Sequence, residues 1–254
     1  MAQDILEIEN ILKNENERLD DLQRKGYRII QNKEYFCYGI DAMLLAWWAC
    51  PGKNDRVVDL GCGNGVIPLL MHARYDCKYI AGLEIQDVNV DLAKRNVSLN
   101  GLDGVIDIKK GDIKTVFESL EKERFNVVTC NPPYMEKGSA IVSDGDVKAI
   151  ARHEILCDLE DVIKAASGLL VHGGRFCMIH KPVRLAQMIC LMRKYNLEPK
   201  RLKCIHPFSE KEATMILIEG VKGGRMQMKI EEPLIVYKAP GEFSDKVMEI
   251  HHGE

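Results

Sequence analysis

Val57-Val58-Asp59-Leu60-Gly61-Cys62-Gly63-Asn64-Gly65 is a short apolar run that breaks into three alternating glycines, and the helical pattern Val66–Arg74 follows it. A strand, a glycine turn and a helix in this order open a parallel α/β sheet, whose ligands bind beyond the carboxyl ends of its strands. Working outward, the alternation continues. Strands are predicted at Lys78–Ile85, Val105–Lys109, Phe125–Cys130 and Arg175–His180, and helices at Asp87–Asn100, Asp112–Leu120, Leu159–Leu170 and Val183–Tyr195. Strands separated by helices, with right-handed crossovers, require an α/β, Rossmann-like doubly wound sheet. The last two strands, Arg201–His206 and Ala213–Val221, have no helix between them and are expected as antiparallel neighbours at one edge.

Upstream, the apolar spacing of Asp4–Leu22 predicts an amphipathic helix, Arg28–Gln31 a short strand, and Asp41–Trp48 a helix ended by Pro51-Gly52. Downstream, Met226–Tyr237 is expected to add an edge ribbon and Lys238–Glu254 to form a loose tail. The organisation expected is an N-terminal helical appendage (1–31), a catalytic domain (32–222) and a C-terminal ribbon and tail (223–254).

The 254 residues are 46% hydrophobic and 29% charged, the balance of a globular chain able to bury its own core. The longest apolar run, Ala42–Cys50, is nine residues, too short for a bilayer, and no export signal precedes it. A cytoplasmic protein with no membrane partner is expected. The nine cysteines are odd in number and never closer than twelve residues, which speaks against disulfides, metal fingers and redox pairs. No metal site is expected. Net charge is −3, but Lys181–Lys229 carries eleven bases against four acids. Bulk basicity is excluded, whereas a local basic face is not.

The glycines allow the backbone to bend sharply and a ligand to approach without a Cβ in the way. Their G-x-G-x-G spacing departs from the G-x-G-x-x-G of dinucleotide sites, which weighs against a nicotinamide-dependent oxidoreductase. Asp59 before the turn would repel a pyrophosphate but suits a cationic ligand. Glu84, ending the second strand, can accept hydrogen bonds from two ribose hydroxyls, and Asp112, after the third, can meet an adenine amino group; Ile85 and Ile113 flank them. A nucleoside with a positively charged amino-acid tail fits all of these, and that describes S-adenosylmethionine.

Asn131-Pro132-Pro133-Tyr134 follows the fourth strand. Two prolines cannot extend a ladder, so the loop is stiff. A planar amine can give one proton to the Asn131 side-chain oxygen and the other to the Pro132 carbonyl, while Tyr134 stacks on the attached ring. Holding both protons draws the nitrogen toward a tetrahedral shape and offsets the positive charge that develops during attack. No strong base is needed. His153 therefore has an orienting place beside Arg152 and Glu154 rather than a proton-abstracting one.

Taken together, Val57–Gly65, Glu84, Asp112 and Asn131–Tyr134 resemble the motif set of class I S-adenosylmethionine-dependent methyltransferases. The resemblance implies a seven-stranded, mostly parallel sheet with an antiparallel last strand, and S-adenosylhomocysteine as product. The tetrapeptide is similar to that of enzymes methylating planar nitrogens, adenine amines or the glutamine amide of release factors. Glu17–Leu22, Tyr27–Gln31 and Phe36–Ala46 are similar to the bacterial tRNA(Val) adenine-N6 methyltransferases, as is Arg152-His153-Glu154. That likeness covers about residues 17–222. It implies a tRNA substrate methylated at the adenine flanking the anticodon, and it lays Tyr38, Gly39 and Asp41 over the cofactor. No protein partner is indicated. The competing readings are methylation of a release-factor glutamine or of rRNA, and a non-catalytic RNA-binding module, which would need neither Asn131 nor Glu84.

Overall fold

Val57 and Val58, adjacent on strand β3 (Arg56–Leu60), are both fully buried and feed different cores. Side chains alternate across a strand, so only a sheet covered on both faces buries both. The structure, a computed structural model, describes residues 12–13, 15–34, 37–132 and 157–252.

Seven strands form the main sheet in the spatial order β5 (Ile106–Lys110), β4 (Tyr79–Glu84), β3, β6 (Phe125–Cys130), β7 (Leu170–His180), β9 (Met215–Lys222) and β8 (Leu197–His206). Neighbours from β5 to β7 are parallel, while β9 runs antiparallel to both β7 and β8. The doubly wound sheet with an antiparallel last strand is as expected. The ribbon after residue 226 extends it further, because the two-residue strands β10 (Lys229–Ile230) and β11 (Leu234–Ile235) pair along β8 and bring the count to nine. They cover a strand edge that would otherwise present unpaired backbone groups.

The Val57 side of the sheet is covered by α1 (Ile40–Ala49), α2 (Val66–Tyr75) and α3 (Asp87–Leu99). The Val58 side is covered by α4 (Leu159–Leu169) and α5 (Leu185–Lys194). Aliphatic side chains buried as completely as Leu44, Leu69, Leu83 and Ile163 each stabilise the fold by about 1.5–3 kcal/mol. The segment expected as a helix over Asp112–Leu120 is a tighter 3-10 turn, Ile113–Glu118, with the Asp112 carboxylate accepting the Lys114 amide at its start. No helix among the described residues is long and apolar enough to cross a membrane.

Two terminal readings need correction. The predicted N-terminal helix does not extend over its last turns: Glu17–Asp21 is a strand, β1, paired antiparallel with β2 (Arg28–Asn32). An extended segment cannot satisfy its backbone groups alone, so β2 requires a neighbour. Gln23, Lys25 and Gly26, all with positive φ, turn the chain back to supply one. The rest of that predicted helix, Asp4 to Ile11, lies outside the described residues. The predicted loose tail is built into the body. β12 (Tyr237–Ala239) and β13 (Glu242–Phe243) form a hairpin, and α6 (Asp245–His252) buries Val247 and Ile250 in the Val57-side core.

A buried ion cluster fixes α1. Glu219 on β9 is contacted by Arg175 Nη1 at 3.0 Å and by Arg201 Nη2 at 2.8 Å. The same guanidiniums donate to the Ala49 and Trp48 carbonyls that end α1, at 2.8 and 3.2 Å. α1 carries no basic residue in its last turn, so cations from the sheet complete its C-terminus. Arg201 also lies over the Trp48 ring, whose indole nitrogen donates to Glu231. Trp48 is thus a buried anchor.

Candidate active site

Gly61, Gly63 and Gly65 all adopt left-handed backbone, with φ of +71°, +54° and +84°. A Cβ on Gly65 would press on the Ala93 Cβ at 3.3 Å, so this glycine lets α2 and α3 approach. Added at Gly61 or Gly63, a Cβ would meet nothing within 4 Å. Open space above a left-handed glycine turn is where a ligand can lie against backbone. The turn is tied to β4, as the Gly61 and Cys62 amides both donate to the Leu83 carbonyl, at 2.8 and 3.0 Å.

Glu84 is 3% exposed and does more than end a strand. Its Oε2 accepts the Gly63 amide at 3.0 Å, and its Oε1 accepts the Ile85 and Gln86 amides at 3.0 and 2.9 Å. An ionised carboxylate offers about four acceptor positions, so three backbone donors leave about one for a ribose hydroxyl. Glu84 therefore shapes the glycine turn as well as facing the site. Its own carbonyl accepts the Gly111 amide at 3.0 Å, which sets Asp112 and Ile113 beside it at the same sheet edge.

Asp59 sits differently from a surface carboxylate poised for a ligand. It is fully enclosed, its Oδ1 accepting the Thr129 hydroxyl at 2.7 Å and its Oδ2 having no hydrogen-bond partner. Burial pushes its carboxyl up to about 7; the Thr129 hydrogen bond opposes this and the nearby Glu84 charge adds to it. A cationic ligand would act on Asp59 through its field. Cys62 and Cys130, close to Asp59, are held as neutral thiols chiefly by burial.

Asn131 and Pro132 leave the end of β6, beside β3 and hence beside the glycine turn. Asn131 Nδ2 donates to Asp41 Oδ2 at 3.0 Å. Asp41 is buried in the first turn of α1, and Tyr38 and Gly39 lead into that helix, with the Tyr38 amide donating to Gln31 Oε1 at 3.0 Å. The upstream turn and the proline loop thus meet directly, a contact no local pattern announces. Pro133, Tyr134, Arg152, His153 and Glu154 lie outside the described residues.

Two supporting residues were missed by sequence reasoning. Asn96 on α3 is completely buried, accepts the Ile30 amide at 2.7 Å, and donates to the Ile30 and Asn64 carbonyls at 3.1 and 2.9 Å. It ties β2 to the glycine turn. Its one sequence signal is a polar residue on the apolar face of a helix, flanked by Ala93 and Val97. Thr129, which anchors Asp59, carries no signal beyond being a hydroxyl in an apolar strand.

Part of the basic stretch Lys181–Lys229 is neutralised within the fold. Arg193, Lys194, Arg201, Lys203 and Lys222 pair with Glu198, Glu160, Glu219, Glu231 and Glu123 respectively. The register Leu197↔Lys222 and Lys229↔Arg201 gathers Lys200, Arg201, Lys222 and Lys229 toward one end of β8, while Lys181 and Lys211 stand at the other, where His180 faces Ile216 and Ile205 faces Met215.

The donor set fits S-adenosylmethionine. Acids line one sheet edge around an open glycine cradle, and an enclosed carboxylate oxygen without a partner lies beneath it.

Comparison with known proteins agrees. The methyltransferase small domain family matches residues 41–194. The tRNA1(Val) (adenine(37)-N6)-methyltransferase of Porphyromonas gingivalis is 28% identical over 220 residues, covering 84% of this chain and 86% of that one. A predicted O-methyltransferase from Agrobacterium tumefaciens superposes with a TM-score of 0.67 at 25% identity, over 84% of this chain and 96% of its own. A geranyl diphosphate C-methyltransferase from Streptomyces coelicolor, solved with S-adenosyl-L-homocysteine, shares the fold at 15% identity, with a TM-score of 0.54 over 72% of this chain and 78% of its own. The sheet order, the glycine cradle and a family match over more than half of the chain make one statement: the chain belongs to the methyltransferase small domain family and is an S-adenosylmethionine-dependent methyltransferase.

Proposed function

We propose that the chain methylates the exocyclic amine of an adenine in tRNA, at the position flanking the anticodon. The observation that carries this reading is the hydrogen bond from Asn131 Nδ2 to Asp41 Oδ2. With Nδ2 held, the side-chain amide cannot rotate, and its acceptor oxygen is fixed at the end of β6. The relatives named for tRNA adenine methylation, aligned over most of the chain, support the choice of substrate.

When bound, S-adenosylmethionine supplies an electrophilic methyl group on a sulfonium. The chain's own residues do the rest. Asn131 Oδ1 and the Pro132 carbonyl would accept hydrogen bonds from the two amine N–H groups and orient the nitrogen lone pair. They would stabilise the positive charge that methylation places on the nitrogen until one proton passes to water. Prepositioned acceptors of this kind contribute on the order of 10²–10³ in rate. A base within folded RNA must be splayed from its stack to reach such a loop.

The test is transfer of label from methyl-labelled S-adenosylmethionine to unmodified tRNA and, separately, to an unmodified release factor. Label in tRNA, recovered as N6-methyladenine, is the expected result. Label in the release factor alone overturns the reading.

A further inference from the structure

A cavity of about 240 Å³ lies between the β1–β2 hairpin, α1, α2 and the C-terminal helix α6, away from the glycine turn. Three arginines line it, Arg18, Arg24 and Arg74, against the single carboxylate of Asp20. Arg18 pairs with Asp20 at 3.0 Å. Arg24 and Arg74 form no ion pair with a carboxylate among the described residues; both donate to the Ile250 carbonyl, and Arg24 also reaches the His251 carbonyl at 3.4 Å.

Capping the end of α6 does not account for both cations. A helix C-terminus carries the equivalent of about half a negative charge, so one guanidinium satisfies it and two leave an excess of roughly 1.5 positive charges. The nearest acid on α6, Glu249, is held by Lys246 at 2.7 Å. Desolvation and the Arg24 charge both work against the charge on Arg74. Two like charges held side by side on one carbonyl, each partly buried, are unfavourable unless an anion joins them. His251, neutral because burial and His252 disfavour its proton, adds a polar wall without adding charge.

We propose that this cavity is a phosphate-binding site for the backbone of the RNA substrate. Tyr38 and Gly39 form its upper wall, and Asp41, two residues on, holds Asn131. From Gly39 to Ala46 the α1 wall descends about 10 Å at 1.5 Å per residue. The cavity thus runs from the segment that leads into Asp41 to Arg74 in the last turn of α2 and to the end of α6, a path that the strand next to a splayed base can follow. The site rests on the reading of the chain as an RNA methyltransferase and assigns a location to part of the contact with the RNA backbone.

The experiment is tRNA binding to the full chain as a function of salt, for wild type, R24Q, R74Q, R24Q/R74Q and R24K/R74K. Each neutralised phosphate contributes about 0.7–0.9 to the slope of log K against log salt. Each single glutamine variant should lose up to about that much slope and roughly fivefold in affinity near 0.1 M salt, and R24Q/R74Q more than either. The double lysine variant should keep the slope, and S-adenosylhomocysteine affinity should not change in any of them. Slopes parallel to wild type in the glutamine variants overturn the proposal and leave the arginines as ties for α6. A parallel arm measures melting temperature in inorganic phosphate. If phosphate stabilises wild type but not R24Q/R74Q while the tRNA slopes stay parallel, the site takes a free anion and the RNA assignment falls. If tRNA binds with the expected slope losses but accepts no methyl label, the site stands and the methylation reading fails.

Discussion

Asn131 and Asp41 are ninety residues apart in sequence and 3.0 Å apart in space, amide nitrogen to carboxylate oxygen. The bond couples the loop after β6 to the first turn of α1, whose far end is locked by the Arg175–Glu219–Arg201 cluster. The Asn131 amide is therefore held by a helix whose far end is itself tied to the sheet.

Asp41→Ala should lower the methylation rate on the order of 10²-fold, since freeing a positioned group by about 1 Å costs that much. S-adenosylhomocysteine affinity should stay within a few-fold in a calorimetric titration. Asn131→Ala should abolish methylation with the cofactor still bound. If Asp41→Ala instead weakens the cofactor and leaves the turnover rate intact, Asp41 serves the cofactor and not the amide.

Glu84→Ala removes the acceptor for three backbone amides as well as the ribose contact proposed for it. Each buried donor left unpaired costs about 1–3 kcal/mol, so stability and cofactor affinity should fall together. Glu84→Gln, which keeps an acceptor oxygen, should recover most of the stability in urea unfolding. Its cofactor affinity should remain about 1.5–3 kcal/mol weaker than wild type, the worth of hydrogen bonds to a charged group. Equal cofactor affinity in all three proteins would remove Glu84 from the site.

Asp59, with its carboxyl raised to about 7 by burial, makes both stability and cofactor binding depend on pH. The folded chain holds this proton between the ordinary carboxylate value and about 7, where the unfolded chain has lost it. The contribution to stability is thus complete below the unfolded value and is lost as pH rises through about 7, at up to ~1.4 kcal/mol per pH unit. A cationic cofactor favours the ionised carboxylate, so its affinity should rise with pH across the same range. Asp59→Asn should flatten both profiles. Identical profiles in variant and wild type would show that Asp59 does not titrate there.

Asn96→Ala should strip partners from the Ile30 amide and from the Ile30 and Asn64 carbonyls at once. A loss of roughly 3–5 kcal/mol is expected, at the upper end for a single substitution because the groups are buried. Cofactor affinity should weaken as well, since Asn64 belongs to the glycine turn. Unchanged unfolding with denaturant would contradict this.

Much of the sheet was legible because its signals are local. Val57–Leu60, Tyr79–Glu84 and Phe125–Cys130 are apolar runs interrupted by turn formers, and each became the strand read from it. The antiparallel β8–β9 pair followed from the short link around Pro207. Glu17–Asp21 was misread because its residues alternate too weakly to reveal a strand until β2 is placed beside it. The tail was misread because Val247 and Ile250 are two apolar residues in a charged segment, and only the groove beneath them makes those two sufficient.

What the chain by itself determined is the parallel sheet, the glycine turn at Gly61–Gly65 and the amide loop at Asn131, since each depends on residues within a few positions of one another. The tertiary structure alone decided that Glu84 clamps the turn, that Asp59 is enclosed, that Asp41 holds Asn131, and that Arg193, Lys194, Arg201, Lys203 and Lys222 are taken up by carboxylates of the fold. These are meetings of distant segments, and backbone pairing and core burial set them after the local pattern has done its part.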